Sequence, residues 1–283
     1  MALGGETAPP FARPGGAAVT SPSSLEQGLE KAARIIHASA YTIALVGAGI
    51  SVESGVPPFR GPGGLWTKHG EPPMDGYQRF LADPRAWWAD ILSRQGEHSE
   101  FIKALSEAKP NAAHRAMADL EKLGFLKHII TQNIDNLHQE AGSVAITEIH
   151  GNRLKLRCIA CNTRWPLGEF PTDEIPPRCP HCGGIVKTDT VMFGEPIPLD
   201  ALESCQRESR LCDCMLLVGT SAVVYPAAEF PVIAFRRGAK LIEINPMETP
   251  LSDVSAAVLR APAGEIMPKL VERLKELSGA GAG

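Results

Sequence analysis

The sequence of 283 residues contains no apolar run that approaches the roughly 18 residues of a membrane span. Its first residues lack the basic-then-apolar pattern of a secretion signal. It also lacks a strong charge of either sign, since the formal net charge is −4. Such a chain has no general electrostatic attraction to nucleic acid or to an anionic membrane. We therefore expect a cytoplasmic monomer that binds neither directly.

Charged residues are scarce at both ends of the chain. Residues 1–24 hold one acid and one base among mostly Gly, Ala, Pro and Ser. This composition cannot bury a core, so we predict a disordered tail there and a second flexible tail at 278–283. The whole chain is 44% apolar and 21% charged, as in ordinary globular proteins. Its length predicts one large domain and one small one.

The cysteines are few, and four of the seven form two C-x-x-C pairs, which are Cys158, Cys161, Cys179 and Cys182. This spacing is typical of a zinc ribbon in which four thiolates bind one tetrahedral ion. Four thiolates leave no open position for water, so the zinc would be structural. His181, inside the second pair, is the main alternative ligand. The other three cysteines are predicted to be free thiols.

Four apolar, β-rich runs alternate with helical segments, and they span residues 41–46, 127–131, 214–218 and 240–244. This alternation predicts an α/β fold with a doubly wound, Rossmann-like parallel sheet. Small or polar residues follow each run. Ligands of such sheets bind beyond the carboxyl ends of the strands, so one nucleotide could span several of these ends.

The first run ends in Gly47-Ala48-Gly49, where small residues let backbone N–H groups approach a pyrophosphate. The usual dinucleotide fingerprint needs glycine at position 52, but Val52 stands there, so a plain dehydrogenase fits imperfectly. A polar, proline-stiffened loop follows, with Ser51, Glu53, Phe59 and Arg60. We interpret this loop as one that closes over a ligand.

Residues 47–66, which fit GAGIS-x-ESG-x-P-x-FRG-x-x-GLW, closely resemble the first signature of the sirtuins, the NAD-dependent protein deacylases. Residues 131–138, TQNIDNLH, match the second signature, and the resemblance covers roughly residues 25 to 275. It implies a discontinuous NAD-binding domain over 25–150 and 190–277, with a helical cofactor and acyl-pocket segment at 67–109. The zinc ribbon, with one zinc ion, would occupy residues 151–189.

The resemblance and the strand-end positions together imply a set of NAD contacts. Backbone at Ala48 and Gly49, with Arg60 and Ser221, suits the diphosphate, whereas Thr220 and Asn245 suit ribose hydroxyls. The full set comprises Gly47, Ala48, Gly49, Ser51, Glu53, Phe59, Arg60, Trp66, Gln132, Asn133, Ile134, Asp135, Gly219, Thr220, Ser221, Asn245, Pro246 and Ala263.

The resemblance also implies a reaction on acylated-lysine proteins or peptides. The acyl carbonyl oxygen attacks C1′ of the NAD ribose as nicotinamide leaves, which gives an alkylimidate. Asn133 and Asp135 would stabilise the positive charge at the sugar, and His150 would be the general base. Phe59 would shield the intermediate from water. The products are lysine, nicotinamide and an O-acyl-ADP-ribose.

The substrate peptide is implied to pair with the β-rich run Val191-Met192-Phe193-Gly194 and to contact Val224. An ordinary edge strand is the alternative for that run. In the acyl pocket, Ile91 occupies the Tyr position of the Tyr-x-x-Arg pair of succinyl-specific sirtuins, and Arg94 the Arg position. This favours an acetyl or fatty acyl group over succinyl. Trp87 and Trp88 are interpreted as core or interface aromatics.

Three other functions are compatible with parts of this pattern. A NAD-dependent protein ADP-ribosyltransferase on the same scaffold would keep the NAD residues without needing an acyl pocket. A zinc-ribbon binding module without turnover predicts broken catalytic motifs, yet His150, Asn133 and Asp135 are all present. A dehydrogenase fits least, because the ribbon has no role in hydride transfer.

Overall fold

The structure is a computed structural model that describes residues 22–61, 63–93 and 100–279. Residues 1–21 and 280–283 of the two predicted tails lie outside the described residues. In the described part, the larger sheet has six strands in the order β3-β2-β1-β7-β8-β9, all parallel. Their bounds are β1 Thr42–Val46, β2 Leu126–Thr131, β3 Ile146–Glu148, β7 Cys214–Val218, β8 Lys240–Ile244 and β9 Ala257–Leu259. The predicted doubly wound parallel sheet is confirmed.

Helices cover both faces of this sheet. Their bounds are α1 Pro22–Ala38, α2 Leu65–His69, α3 Gly76–Ala82, α4 Pro84–Ser93, α5 Glu100–Glu107, α6 Ala112–Lys122, α7 Leu137–Glu140, α8 Leu199–Leu211, α9 Glu229–Arg236 and α10 Ala263–Gly279. Helices α1, α6 and α10 pack on one face, and α8 and α9 on the other. Among the described helices, none is both long and apolar enough to cross a membrane.

The central strands read as continuous apolar runs because both of their faces are buried. All five residues of β1 are buried, and so are all five of β7. Ala44 and Val46 point into the core under α1, α6 and α10, whereas Ile43 and Leu45 point into the core under α8 and α9. This alternation between two cores is the period-two geometry of a strand.

A small antiparallel sheet is inserted between β3 and α8. It has the order β5-β4-β6, with bounds β4 Lys155–Cys158, β5 Arg164–Pro166 and β6 Val186–Thr188. Trp88 of α4 packs against Leu156 and Val186 of this sheet, and its indole N–H donates to the Val186 carbonyl at 2.9 Å. Trp88 is 2% exposed, so its interpretation as a core aromatic is confirmed.

The carboxyl ends of β1 and β7 approach each other so closely that side chains do not fit. The Gly49 N–H donates to the Gly219 carbonyl at 2.8 Å, and a Cβ on Gly49 would lie 2.7 Å from the Gly219 Cα. Gly219 has φ +58, and a Cβ there would lie 2.4 Å from the Ile50 nitrogen. Both positions therefore require glycine.

This contact predicts that Gly219→Ala lowers the free energy of unfolding by about 3 kcal/mol, since left-handed strain adds to steric overlap. Gly238→Ala is a matched control, because Gly238 has φ +93 and open space around its Cβ position. We expect the control to cost about 1 kcal/mol. Urea unfolding measures both values, and equal losses would contradict the steric argument.

Candidate active site

Two amide side chains tie together the ends of the central strands. The Gln132 side chain, after β2, donates to the Val46 carbonyl of β1 at 3.2 Å and to Thr220 Oγ1, after β7, at 2.9 Å. The Asn245 side chain, after β8, donates to the Thr220 carbonyl at 2.8 Å. Four strand ends therefore converge at one edge of the sheet, as predicted for a nucleotide site.

A buried polar cluster lies beneath this edge. Ser51 Oγ donates to Asp135 Oδ2 at 2.7 Å and accepts from the Asn133 side-chain amide at 3.0 Å. The three residues are 0%, 3% and 8% exposed, respectively. The other Asp135 oxygen accepts from the Leu137 N–H at 3.0 Å and so starts α7. The structure thus brings together three residues that were predicted from two separate motifs.

His150 follows β3 and reaches toward the same edge. Its Nδ1 lies 3.1 Å from the Gln132 carbonyl oxygen. A carbonyl only accepts, so Nδ1 carries the proton and Nε2 is the basic nitrogen. Burial lowers the pKa of His150, while the bond to the Gln132 backbone opposes this shift. At neutral pH the imidazole is therefore neutral and able to take a proton.

The loop after the glycine turn folds into an aromatic cluster. The Trp66 ring lies 5.0 Å from the Phe59 ring and 5.7 Å from the Phe193 ring, between ring centroids. The Arg60 guanidinium lies 4.3 Å over Trp66 and pairs with Glu71 at 2.7 Å. Two predicted NAD contacts, Phe59 and Trp66, thus meet a predicted substrate residue, whereas Arg60 pairs with a carboxylate.

The four cysteines of the C-x-x-C pairs converge as well. Their Sγ atoms all lie within 4.8 Å of one another, and among the described residues this is the only such metal-ligand group. The Cys158–Cys182 and Cys161–Cys179 sulfur distances are 3.5 and 3.6 Å. A tetrahedral zinc ion with bonds of about 2.3 Å needs sulfurs about 3.8 Å apart, so the residues fit the ion.

A model of the Sir2 family matches residues 47–226, which is more than half of the chain. The chain belongs to the Sir2 family. It is 40% identical to the NAD-dependent protein deacylase of Thermococcus kodakarensis, over 88% of this chain and 96% of the relative. It is 43% identical to NAD-dependent protein deacylase 2 of Archaeoglobus fulgidus, over 89% of this chain and 98% of the relative.

Solved structures of Sir2 proteins have the same fold. A Sir2 homologue in complex with NAD is 41% identical, with a TM-score of 0.72 over 88% of this chain and 94% of that one. Sir2Af2 bound to a myristoylated histone peptide is 37% identical, with a TM-score of 0.64 over 90% of this chain and 99% of that one.

Residues 191–194 form no strand in the structure, which speaks against the alternative of an ordinary edge strand, while the implied pairing with a substrate peptide stays a prediction. The segment instead leads into a turn, in which the Glu195 N–H donates to the Met192 carbonyl at 3.0 Å and Gly194 has φ +79. The Glu195 carboxylate also accepts from the Met192 N–H at 2.9 Å. The first residue of the segment is bonded to the general-base candidate, because the Val191 N–H donates to the His150 carbonyl at 2.9 Å. Side-chain and turn bonds therefore replace a strand ladder.

Several other predicted NAD contacts have partners within the protein. Glu53 accepts from the Gly264 N–H at 2.7 Å and so binds the first turn of α10, where Ala263 is buried. Ile134 packs in an apolar cluster with Val56, Leu105 and Leu137, behind the polar edge. The predicted NAD contacts Ser221 and Pro246 follow strands β7 and β8 and are exposed. Val224, which was predicted to contact the substrate peptide, is half-buried in the turn before α9.

Sequence reasoning missed two buried histidines. His114 Nδ1 accepts from the Asn111 N–H at 3.3 Å, so its Nε2, 3.4 Å from Ser51 Oγ, carries the proton. Burial lowers the pKa of His114 to about 4, and that of the neighbouring His138 to about 3. The available signal was Asn111 followed three residues later by His114, a helix-capping pair.

The cysteine cluster predicts one tightly bound metal ion per chain. Cys179→Ser removes a buried ligand, so we expect loss of the metal and a lower unfolding temperature. His181→Ala is the control, because the His181 ring stacks on Trp165 at 6.1 Å between centroids. We expect the control to keep its metal. Mass spectrometry of the purified proteins measures metal content, and a metal-free His181→Ala would contradict the four-thiolate site.

Proposed function

We propose that this Sir2 protein is an NAD-dependent protein-lysine deacylase. It converts acyl-lysine, NAD and water into lysine, nicotinamide and an O-acyl-ADP-ribose. One observation carries the proposal: His150 Nε2 is basic and has no hydrogen-bond partner among the described residues, and it lies at the edge where Gln132, Thr220 and Asn245 link four strand ends. The relatives from Thermococcus kodakarensis and Archaeoglobus fulgidus are named NAD-dependent protein deacylases, and this chain aligns with nearly their whole length.

NAD is a co-substrate in this reaction, and the strand-end residues fit it. Gly47 and Gly49 let the loop after β1 pack directly against Gly219 and Thr220, since a Cβ on either glycine would overlap these residues. Ala48, between them, is only half-buried, so this turn can meet a pyrophosphate. Thr220 and Asn245 place polar groups beside them for the ribose hydroxyls. The pair of Arg60 with Glu71 is largely exposed and therefore weak, so the guanidinium can exchange that partner for the diphosphate.

When bound, NAD supplies an electrophilic ribose carbon and nicotinamide as the leaving group. The acyl-lysine carbonyl oxygen attacks that carbon and gives the alkylimidate. Asp135, held by Ser51 and the Leu137 N–H, presents a fixed negative charge to the positive sugar, and Asn133 orients the reactants. His150 Nε2 then takes a proton from a ribose hydroxyl. Phe59, packed on Trp66, covers the intermediate.

The substrate peptide binds along residues 191–194. Within the described residues, the Val191 carbonyl and the Phe193 N–H lack a hydrogen-bond partner, so they can pair with an incoming extended peptide. Acetyl or fatty acyl groups are favoured over succinyl, because Ile91 replaces the phenol of the acidic-acyl pair. Arg94 lies outside the described residues. The relative bound to a myristoylated histone peptide supports an acyl-lysine substrate.

The cysteine site holds one structural zinc, since its four thiolates leave no position for a reacting water. The chain divides into an NAD-binding domain, residues 25–150 and 190–277, and a zinc ribbon at 151–189. Within the segment 67–109 of the first domain, the described residues would form the helical wall of the cofactor and acyl pocket.

The test is mass spectrometry of acetyl-lysine, myristoyl-lysine and succinyl-lysine peptides incubated with the protein, with and without NAD. We expect NAD-dependent loss of the acetyl or myristoyl group, with formation of the O-acyl-ADP-ribose. His150→Ala should lower kcat by at least about 10²-fold. His37→Ala, at an exposed histidine of α1, is the matched control and should retain full activity.

Two outcomes would contradict the deacylase proposal. Consumption of NAD with an unchanged acyl group and a mass increase on the protein acceptor would indicate ADP-ribosyl transfer. NAD and peptides both left untouched would indicate a binding module.

The lowered pKa of His150 predicts the acid side of the pH profile. The base must be neutral, and a pKa below the ordinary value keeps it neutral further into acid. We expect kcat/KM to be constant near neutral pH and to fall to half its maximum below about pH 6.5. Steady-state kinetics with saturating NAD measures the profile. A midpoint above that value would contradict the burial argument.

A further inference from the structure

A buried charge network joins the small sheet to the substrate segment, residues 191–194. Arg157 of β4 donates to Asp189 Oδ1 at 3.1 Å and also to Glu195, and Lys187 of β6 lies 3.0 Å from Glu195 Oε2. All four side chains are 4% exposed or less. Two cations and two carboxylates balance here. Burial of unpaired charges is costly, so the four groups constrain one another's positions.

The network holds backbone on both sides of Val191. Glu195 Oε2 accepts from the Met192 N–H at 2.9 Å. Lys187 Nζ donates to the Thr188 and Thr190 carbonyls, both at 2.8 Å. The conformation of the substrate segment is therefore set by side chains that stand on the strands of the small sheet and by the carboxylate that ends the turn.

Helix α3 also holds this segment. The Tyr77 N–H donates to the Phe193 carbonyl at 3.0 Å. Gly194 is closely packed there, because a Cβ on it would lie 2.7 Å from the Met74 carbonyl oxygen. With its flanking groups bound in this way, the segment has two backbone groups without a hydrogen-bond partner among the described residues. They are the Val191 carbonyl and the Phe193 N–H, and both can pair with a substrate peptide.

We propose that Glu195 is a positioning residue for the acyl-lysine peptide. Its carboxylate holds the turn that presents the backbone of residues 191–194 to the substrate. Through Arg157 and Lys187, the small sheet that carries the cysteine site becomes the support of the peptide site. This inference rests on the deacylase function proposed above. Among the described residues, Arg157, Lys187 and Glu195 make no hydrogen bond or ion pair to Gln132, Thr220 or Asn245, so we expect the effect to fall on the peptide.

The test compares Glu195→Asp with Asp200→Asn. The aspartate keeps the negative charge but is shorter by one methylene, so it cannot reach Arg157, Lys187 and the Met192 N–H together. We expect the peptide KM to rise about tenfold, with kcat and the NAD KM unchanged within about twofold. Asp200 is 55% exposed and pairs with Arg164, which borders the network because its Nε also donates to Asp189 at 3.0 Å. Its variant should leave all three constants unchanged within about twofold.

Equal peptide KM values in wild type and Glu195→Asp overturn the proposal, and so does a loss confined to kcat or to the NAD KM. Metal content and unfolding temperature are measured for each variant. If Glu195→Asp does not fold, Lys187→Arg is measured in the same way, because it keeps the charge but cannot make the same bonds to Thr188 and Thr190.

A readout without turnover separates this proposal from the deacylase function. Backbone amide hydrogen exchange in the proteolytic fragment of this protein that contains residues 191–194 should be faster in Glu195→Asp than in wild type and in Asp200→Asn. If wild type does not deacylate but Glu195→Asp still exchanges faster than wild type, the deacylase function is overturned, and Glu195 is shown only to order residues 191–194. Unchanged exchange in an active enzyme would overturn the positioning role alone.

Discussion

The close approach of β1 and β7 is the constraint on which the site depends. Because Gly49 and Gly219 meet through a backbone hydrogen bond of 2.8 Å, the loops after these neighbouring strands leave the sheet at the same point. Gln132, from the strand on the other side of β1, can then bridge both ends. Any side chain at the two glycines would push these ends apart and separate the polar groups that the proposed chemistry needs together.

Beneath this edge, the direction of each hydrogen bond in the buried polar cluster around Ser51 follows from groups that can only donate. His114 accepts from a backbone N–H, so it must donate toward Ser51, and Asn133 donates to Ser51 as well. The Ser51 hydroxyl therefore gives its own proton to Asp135. The low pKa of His114 keeps this ring neutral at neutral pH, so it adds no positive charge beside the Asp135 carboxylate. Such a preorganised charge needs no rearrangement as positive charge develops nearby.

The small sheet is joined to the rest of the molecule by two different kinds of contact. Trp88 binds it through an apolar surface and one hydrogen bond, whereas Arg157 and Lys187 bind the chain that returns to the main sheet. The Val191 N–H donates to the His150 carbonyl, and this bond places residues 191–194 beside the candidate base. The small sheet that carries the four clustered cysteines is therefore joined by buried ion pairs to residues 191–195. Under the proposal above, this connection would give the small sheet a role in peptide binding without a role in the chemistry.

Local pattern and spacing determined most of the fold. The four predicted strands, the pairing of two C-x-x-C motifs and the meeting of Gln132, Thr220 and Asn245 all follow from strand period, covalent reach and the rule for parallel sheets. The order of the strands, by contrast, was set by packing and not by any local signal.

Only the tertiary structure decided which partner each polar side chain takes. Glu53 binds the start of α10, far along the chain, and His114 binds Ser51. The β-rich run at 191–194 became a turn because a buried carboxylate at Glu195 captured its backbone N–H. Strand propensity and residue spacing are local properties of the chain, and the sequence by itself specifies them. The free energy of a buried hydrogen bond depends on which distant group excludes water from it, and that depends on how the finished elements pack.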